Sequence, residues 1–169
     1  IEKDEKLEKI RQLGFGTKNV ETLPEGYVVE GDILLTKELL NKVNAPRNGK
    51  TDQYHTNMLV SLPSSGIRTI AISLGPDFPA AYSNGLNEAI NRYNTVGLRL
   101  VFTRVTSSAN INIVTGSLLR PDGTRALGRA SFPSNGNPGN QITIDLLAFN
   151  GSTDVNFIVS VLAHEIGHT

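Results

Sequence analysis

The chain has 169 residues, of which 38% are hydrophobic, and a formal net charge of +0 at pH 7. This length indicates one domain with room for a small additional segment, and the balanced charge gives no reason to expect a nucleic-acid partner. The absence of cysteine excludes disulfides and thiolate metal ligands. No apolar run approaches the roughly 20 residues that a transmembrane helix requires, so no membrane span is expected.

The first 60 residues are predicted to form a charge-rich segment of short elements. Residues 2–11 are dense in Lys and Glu around a thin apolar stripe, which predicts a helix. Residues 27–35 contain two short β-prone runs, and Thr36 is placed to cap a second short helix. Residues 44–66 lack periodicity and contain several Pro, Gly and Asn, which predicts an exposed connector that a protease can cut.

From residue 67 the hydrophobic pattern becomes regular. The predicted elements are a strand at 69–74, an amphipathic helix around 82–93, strands at 98–105, 111–114, 126–132 and 142–146, and a final helix capped by Ser152, Thr153 or Asp154. Gly128 and Pro133 suit an edge position for the strand at 126–132. We therefore predict an α/β (α+β) domain over residues 61–169, with a mixed twisted sheet of about five strands and two main helices.

The final helix ends in an HExxH motif, His164-Glu165-Ile166-Gly167-His168. Helical residues four apart share a face, so His164 and His168 can bind one metal ion, and zinc is the ion that this motif indicates. Glu165 can reach a water held on that metal and act as general base. The alternative is a chance match on a core helix. Two of the chain's three histidines lie in the motif, which favours the metal site.

Two histidines leave the metal site incomplete, because catalytic zinc usually has three protein ligands and a water. The remaining histidine, His55, lies in the connector and is expected to be a solvated loop residue rather than a ligand. A carboxylate, or a histidine beyond Thr169, is the better candidate for the third ligand.

The motif resembles the first half of HExxHxxGxxH, the extended zinc motif of the metzincin metallopeptidases. Its spelling, HEIGH, resembles the bacterial dual-action HEIGH branch, which is related to the astacins. The order of elements over residues 67–169 is similar to that of a metzincin, zincin-like N-terminal subdomain, which ends in the active-site helix. The resemblance implies a zinc endopeptidase that acts on peptides or proteins, with Glu165 as the catalytic residue and His164 and His168 as zinc ligands.

In that family an edge strand binds the peptide substrate in an antiparallel arrangement. The resemblance gives this role to the run Leu127-Gly128-Arg129-Ala130-Ser131-Phe132. An edge strand offers unpaired backbone groups to an extended peptide, so the assignment is physically reasonable. The alternative is an ordinary edge that faces solvent.

A second resemblance lies in the N-terminal segment. Astacin-type precursors carry the pro-segment motif F-x-G-D-I, and Val29-Glu30-Gly31-Asp32-Ile33 is similar to it, with Val in place of the aromatic residue. The resemblance implies that Asp32 occupies the zinc in a latent form and that residues 1–60 are the chain's own pro-segment. Cleavage between residues 47 and 66 would then remove it. The alternative is that Gly31-Asp32 is a plain turn between two strands.

The sequence also departs from the family pattern. The third histidine and the C-terminal subdomain with its methionine turn would follow Thr169, and Met58 precedes the motif and is not that turn. We therefore expect a latent peptidase truncated after HExxH and inactive in this form. The alternatives are a non-catalytic binding module with a metzincin-like scaffold and, with less support, an inhibitor-like pro-domain. The family resemblance and a start at Ile1 rather than Met are compatible with an exported protein, secreted or in the cell envelope.

Overall fold

The computed structural model describes residues 2–43, 58–64 and 66–169. The helices within these ranges are α1 Glu2–Gln12, α2 Lys37–Lys42, α3 Ala80–Thr95 and α4 Val155–His168, with a 3-10 helix at Leu146–Phe149. The strands are β1 Glu21–Thr22, β2 Gly26–Val29, β3 Ile33–Thr36, β4 Arg68–Leu74, β5 Leu100–Val105, β6 Ile111–Thr115, β7 Gly128–Ser131 and β8 Gln141–Ile144. None of the helices in the described part of the chain is long and apolar enough to span a membrane.

The strands form one mixed sheet in the order β1-β2-β3-β7-β8-β6-β4-β5. Strand β4 runs parallel to β5 and β6, β6 runs parallel to β8, and β7 runs antiparallel to β8. These five strands and helices α3 and α4 confirm the predicted mixed α/β architecture. Strands β1 to β3 of the N-terminal segment extend the same sheet to eight strands.

The expectation that the strand around Gly128 lies at an edge is wrong. Strand β3 runs parallel to β7 on its outer side, with Ile33 beside Ala130 and Leu34 beside Ser131. The N–H of Ala130 donates to the carbonyl of Asp32 over 2.9 Å. The physical reason is that the exposed N–H and C=O groups of this strand are satisfied by another strand of the same chain.

The main core lies between the sheet and helices α3 and α4. Its buried residues are Ile70, Ile72, Tyr82, Leu86, Ala89, Ile90, Phe102, Ile111, Ile113, Ala130, Ile142, Ile144, Phe149, Ile158, Val159, Val161, Leu162 and Ile166. The two helices approach closely at Gly85, where an added Cβ would lie 2.7 Å from Cγ2 of Ile158. Tight packing of this kind fixes the position of α4 against the sheet.

The N-terminal segment has a smaller hydrophobic core of its own. Its buried residues are Ile10, Leu13, Val29, Ile33, Leu35, Leu39 and Leu40. The predicted cap of α2 is present, since the hydroxyl of Thr36 accepts a hydrogen bond from the N–H of Leu39 over 3.2 Å. The ring of Phe132 packs edge-on against Phe15 with 5.1 Å between centroids, which brings the two cores into contact beside β7.

Candidate metal centre

Helix α4, which carries the HExxH motif, is held firmly in place by its N-terminal cap and by its buried side. Of the three residues predicted as its cap, Asp154 is the one that caps it, accepting a hydrogen bond from the N–H of Asn156 over 2.9 Å. The opposite side of the helix is buried in the main core, with Leu162 and Ile166 at 0% and 3% exposure. Because the helix is held at its start and along its buried side, the imidazoles of its last turns have fixed directions.

Three side-chain donor atoms converge at the end of this helix. Oδ2 of Asp32 lies 3.0 Å from Nε2 of His164 and 3.7 Å from Nε2 of His168. The two Nε2 atoms lie 3.0 Å from each other. The structure thus brings together both histidines and an aspartate 132 positions before His164.

The geometry of these donors fits a zinc ion. Zinc takes imidazole nitrogens and carboxylate oxygens at about 2.0–2.2 Å, and tetrahedral angles then separate the ligand atoms by about 3.3–3.6 Å. The observed separations are 3.0, 3.0 and 3.7 Å, each within about 0.3 Å of that range. A hydrogen bond joins only two of these atoms at a time, whereas one metal cation contacts all three at once. His164, His168 and Asp32 are therefore a suitable ligand set.

The electrostatics of the cluster favour its charged forms. Burial on its own raises the pKa of Asp32, but hydrogen bonds with His168 and His164 outweigh it, and the net pKa is lowered. The hydrogen bond with Asp32 raises the pKa of His168, against the effect of burial. The charged forms of Asp32 and His168 consequently stabilise each other.

Glu165 is not one of these three donors, and its carboxyl group is buried. Its side chain is 2% exposed, and among the described residues Oε2 has no hydrogen-bond partner. Burial, followed by the negative charge of Asp32, raises the pKa of Glu165 to about 8, although His168 and Arg129 act in the opposite direction. A carboxyl group whose pKa lies near neutrality is suited to accept and return a proton.

The residues assigned by resemblance to substrate binding lie next to this centre. A cleft of about 420 Å³ is lined by Gly128, the first residue of β7, by Leu127 before it, and by Asp32, His164 and Glu165. Arg129, Ala130 and Ser131 continue along β7 beneath β3. The described structure therefore places this run beside the motif, with its outer edge covered by the N-terminal segment.

Arg120 is a neighbour of the centre that sequence reasoning did not identify. Its Nη2 donates to the carbonyl of Gly31 over 2.9 Å, in a turn where Glu30 and Gly31 have φ of 54° and 98°. The two residues are 89 positions apart, and an arginine in a loop carries no sequence pattern that marks such a partner. This contact fixes the turn that presents Asp32.

The loop that carries Arg120 is in turn held by Asp145. Its carboxylate accepts hydrogen bonds from the N–H of Leu118 over 2.8 Å, from Arg125 over 2.6 Å and from the N–H of Leu147 over 3.0 Å. These bonds outweigh the effect of burial, and the pKa of Asp145 is lowered. The prediction that Asp145 lies inside the last strand is wrong, because its side chain caps the 3-10 helix that ends β8. His55 and residues 44–57 and 65 of the predicted connector lie outside the described residues.

Comparison with known proteins agrees with the motif. A family model described as dual-action HEIGH metallo-peptidase matches residues 27–169, a range that contains both Asp32 and α4. Among solved structures, that of Myroilysin is similar to the chain at 16% sequence identity and a TM-score of 0.43, covering 64% of this chain and 42% of Myroilysin. The chain thus corresponds to less than half the length of that protein. No curated protein matches the chain.

Proposed function

The chain belongs to the dual-action HEIGH metallopeptidase family, and we propose that it is the latent form of a zinc-dependent endopeptidase in which Asp32 blocks the metal centre. The observation that carries this proposal is the approach of Asp32 to within 3.0 Å of His164 and 3.7 Å of His168. A carboxylate that ligates the metal takes the position that an attacking water needs. The enzyme is then inactive until the N-terminal segment is removed.

The chemistry of the active form divides between the metal and Glu165. Bound by His164 and His168, zinc would polarise the scissile carbonyl and acidify a water. Glu165 would take the proton of the attacking water and pass it to the leaving amine. Its position supports this role, because Glu165 lines the same cleft as His164 and Asp32.

The N-terminal segment would block the site twice. Asp32 takes a ligand position, while β3 occupies the outer edge of β7 in a parallel direction. We propose that Leu127, Gly128, Arg129, Ala130 and Ser131 bind the extended substrate along that edge once β3 has left. Departure of Asp32 leaves two metal ligands among the described residues, so activation also requires a replacement ligand.

The mechanism is tested by measuring peptide hydrolysis with the full-length, zinc-loaded protein after it has been cleaved between residues 47 and 66. Glu165→Ala should lower kcat by about 10²–10⁴-fold, since a positioned general base contributes that much. Retention of activity by this variant would show the proposed mechanism to be wrong. A cleaved wild-type protein that binds zinc and hydrolyses no peptide would instead support a non-catalytic binding module.

The latency is tested separately with Asp32→Ala in the uncleaved full-length protein. Removal of the blocking carboxylate should raise basal hydrolysis or speed activation, whereas Asp77→Ala, at an exposed aspartate remote in sequence from the motif, should leave both unchanged. Latency that is unchanged in Asp32→Ala would exclude the blocking role.

A latent form protects the cell that makes a peptidase. For this reason we also propose that the protein is secreted or held in the cell envelope. Fractionation of cells that express the full-length gene, followed by detection of the protein in each fraction, tests this location. Recovery only in the cytoplasmic fraction would contradict it.

A further inference from the structure

Gly128 lies in strand β7, where the backbone conformation does not require glycine. Its φ is not positive, so any residue can adopt its conformation. Glycine within a strand is unfavourable because it loses more conformational freedom on folding than other residues do. The reason for glycine at this position must therefore lie in the space that a side chain would fill.

That space is occupied by the end of the Glu165 side chain. A Cβ added to Gly128 would lie 2.3 Å from Oε1 of Glu165, 2.5 Å from Cδ and 2.7 Å from Cγ. All three distances are shorter than a van der Waals contact, and the atoms belong to the carboxyl group and its last methylene. The carboxyl group of Glu165 therefore packs directly against the backbone of β7 at Gly128.

We propose that Gly128 is the positioning residue for Glu165, an inference that rests on the proposed peptidase function. The absent side chain allows the carboxyl group to lie against the strand, and any larger residue pushes it toward the open cleft that Leu127 and His164 also line. The same strand would pair with the substrate backbone, so β7 sets the distance between the base and the scissile bond. A shift of about 1 Å in such a group can cost about 10²-fold in rate.

A double-mutant cycle in thermal stability tests the contact without any need for activity. Gly128→Ala should lower Tm by about 2–4 °C in the wild-type background. In the Glu165→Ala background, which lacks Cγ, Cδ and both oxygens, the same substitution should lower Tm by less than half as much. If Gly128→Ala fails to fold alone but folds with Glu165→Ala, the contact is equally supported.

Kinetics of the cleaved full-length protein test the positioning role. Gly128→Ala should lower kcat by about 10²-fold. KM and zinc affinity should change by less than about threefold, because β7 would bind the substrate through its backbone and the three atoms nearest the added Cβ all belong to Glu165. The matched control is Gly116→Ala, whose added Cβ would lie 2.6 Å from Cγ2 of Thr143 and within 4 Å of no atom of Glu165. It should cost stability without a selective loss of kcat.

The outcomes separate this inference from the proposed function. Equal Tm losses in both backgrounds, or an unchanged kcat in an active enzyme, overturn the role of Gly128. If the double-mutant cycle shows coupling while the wild-type protein hydrolyses no peptide, that result supports the contact of Gly128 with Glu165 and overturns the peptidase function.

Discussion

The main core and the N-terminal core differ in how much they bury and in what holds them together. The main core joins five strands to α3 and α4, whereas the N-terminal core lies among two short helices and three short strands. The contacts that join them include the pairing of β3 with β7, the ion pairs of Asp32 with His164 and His168 and of Glu21 with Arg129, the ring contact of Phe15 with Phe132, and the bond from Arg120 to Gly31. We infer that the N-terminal core can come away while the main core stays folded, which is what release of a pro-segment requires.

The largest expected effect concerns the main core. Leu162 is 0% exposed, and Leu162→Ala should lower the free energy of unfolding by about 4 kcal/mol, because it leaves a cavity between α4 and its neighbours. Denaturant titration followed by far-UV circular dichroism measures this loss. A much smaller loss would mean that α4 is not anchored as tightly as its burial indicates.

The corresponding change in the N-terminal core should act locally. Leu40 is also 0% exposed, and Leu40→Ala should destabilise the N-terminal core by about 3 kcal/mol. Limited proteolysis should then remove the N-terminal segment faster, while hydrogen exchange in α4 stays protected. Equal loss of protection in α4 would show that the two cores unfold as one unit.

The sequence predicted those parts of the molecule whose signals are local. The spacing of His164 and His168 and the cap at Thr36 depend on neighbours within four residues, and both are present in the structure. The place of β3 beside β7 has no local signal, because parallel pairing joins segments far apart in sequence and any exposed strand edge can accept it. The contact of Gly128 with Glu165 was missed for the same reason.

A third prediction concerns how the free energy of unfolding depends on pH through Asp145. The lowered pKa of Asp145 means that the folded state binds its proton less readily than the unfolded chain, whose value is near 3.8. Its contribution is therefore present above that value and is lost as pH falls through the lower folded-state pKa. Asp145→Asn should lower the free energy of unfolding at pH 7 by about 2 kcal/mol. The difference from wild type should shrink below about pH 4, and a constant difference in urea titrations from pH 2.5 to 7 would contradict it.

The smallest expected effect concerns the turn that presents Asp32. Arg120→Ala removes the bond to the carbonyl of Gly31, which should weaken attachment of the N-terminal segment by about 1 kcal/mol and speed its proteolytic release about fivefold. The matched control is Arg104→Ala, since Arg104 also donates to a backbone carbonyl, that of Ser83, but joins β5 to α3. If both variants release the segment at the wild-type rate, Arg120 does not hold the turn. If both variants release it equally faster than wild type, the contact of Arg120 with Gly31 is not the specific determinant of release.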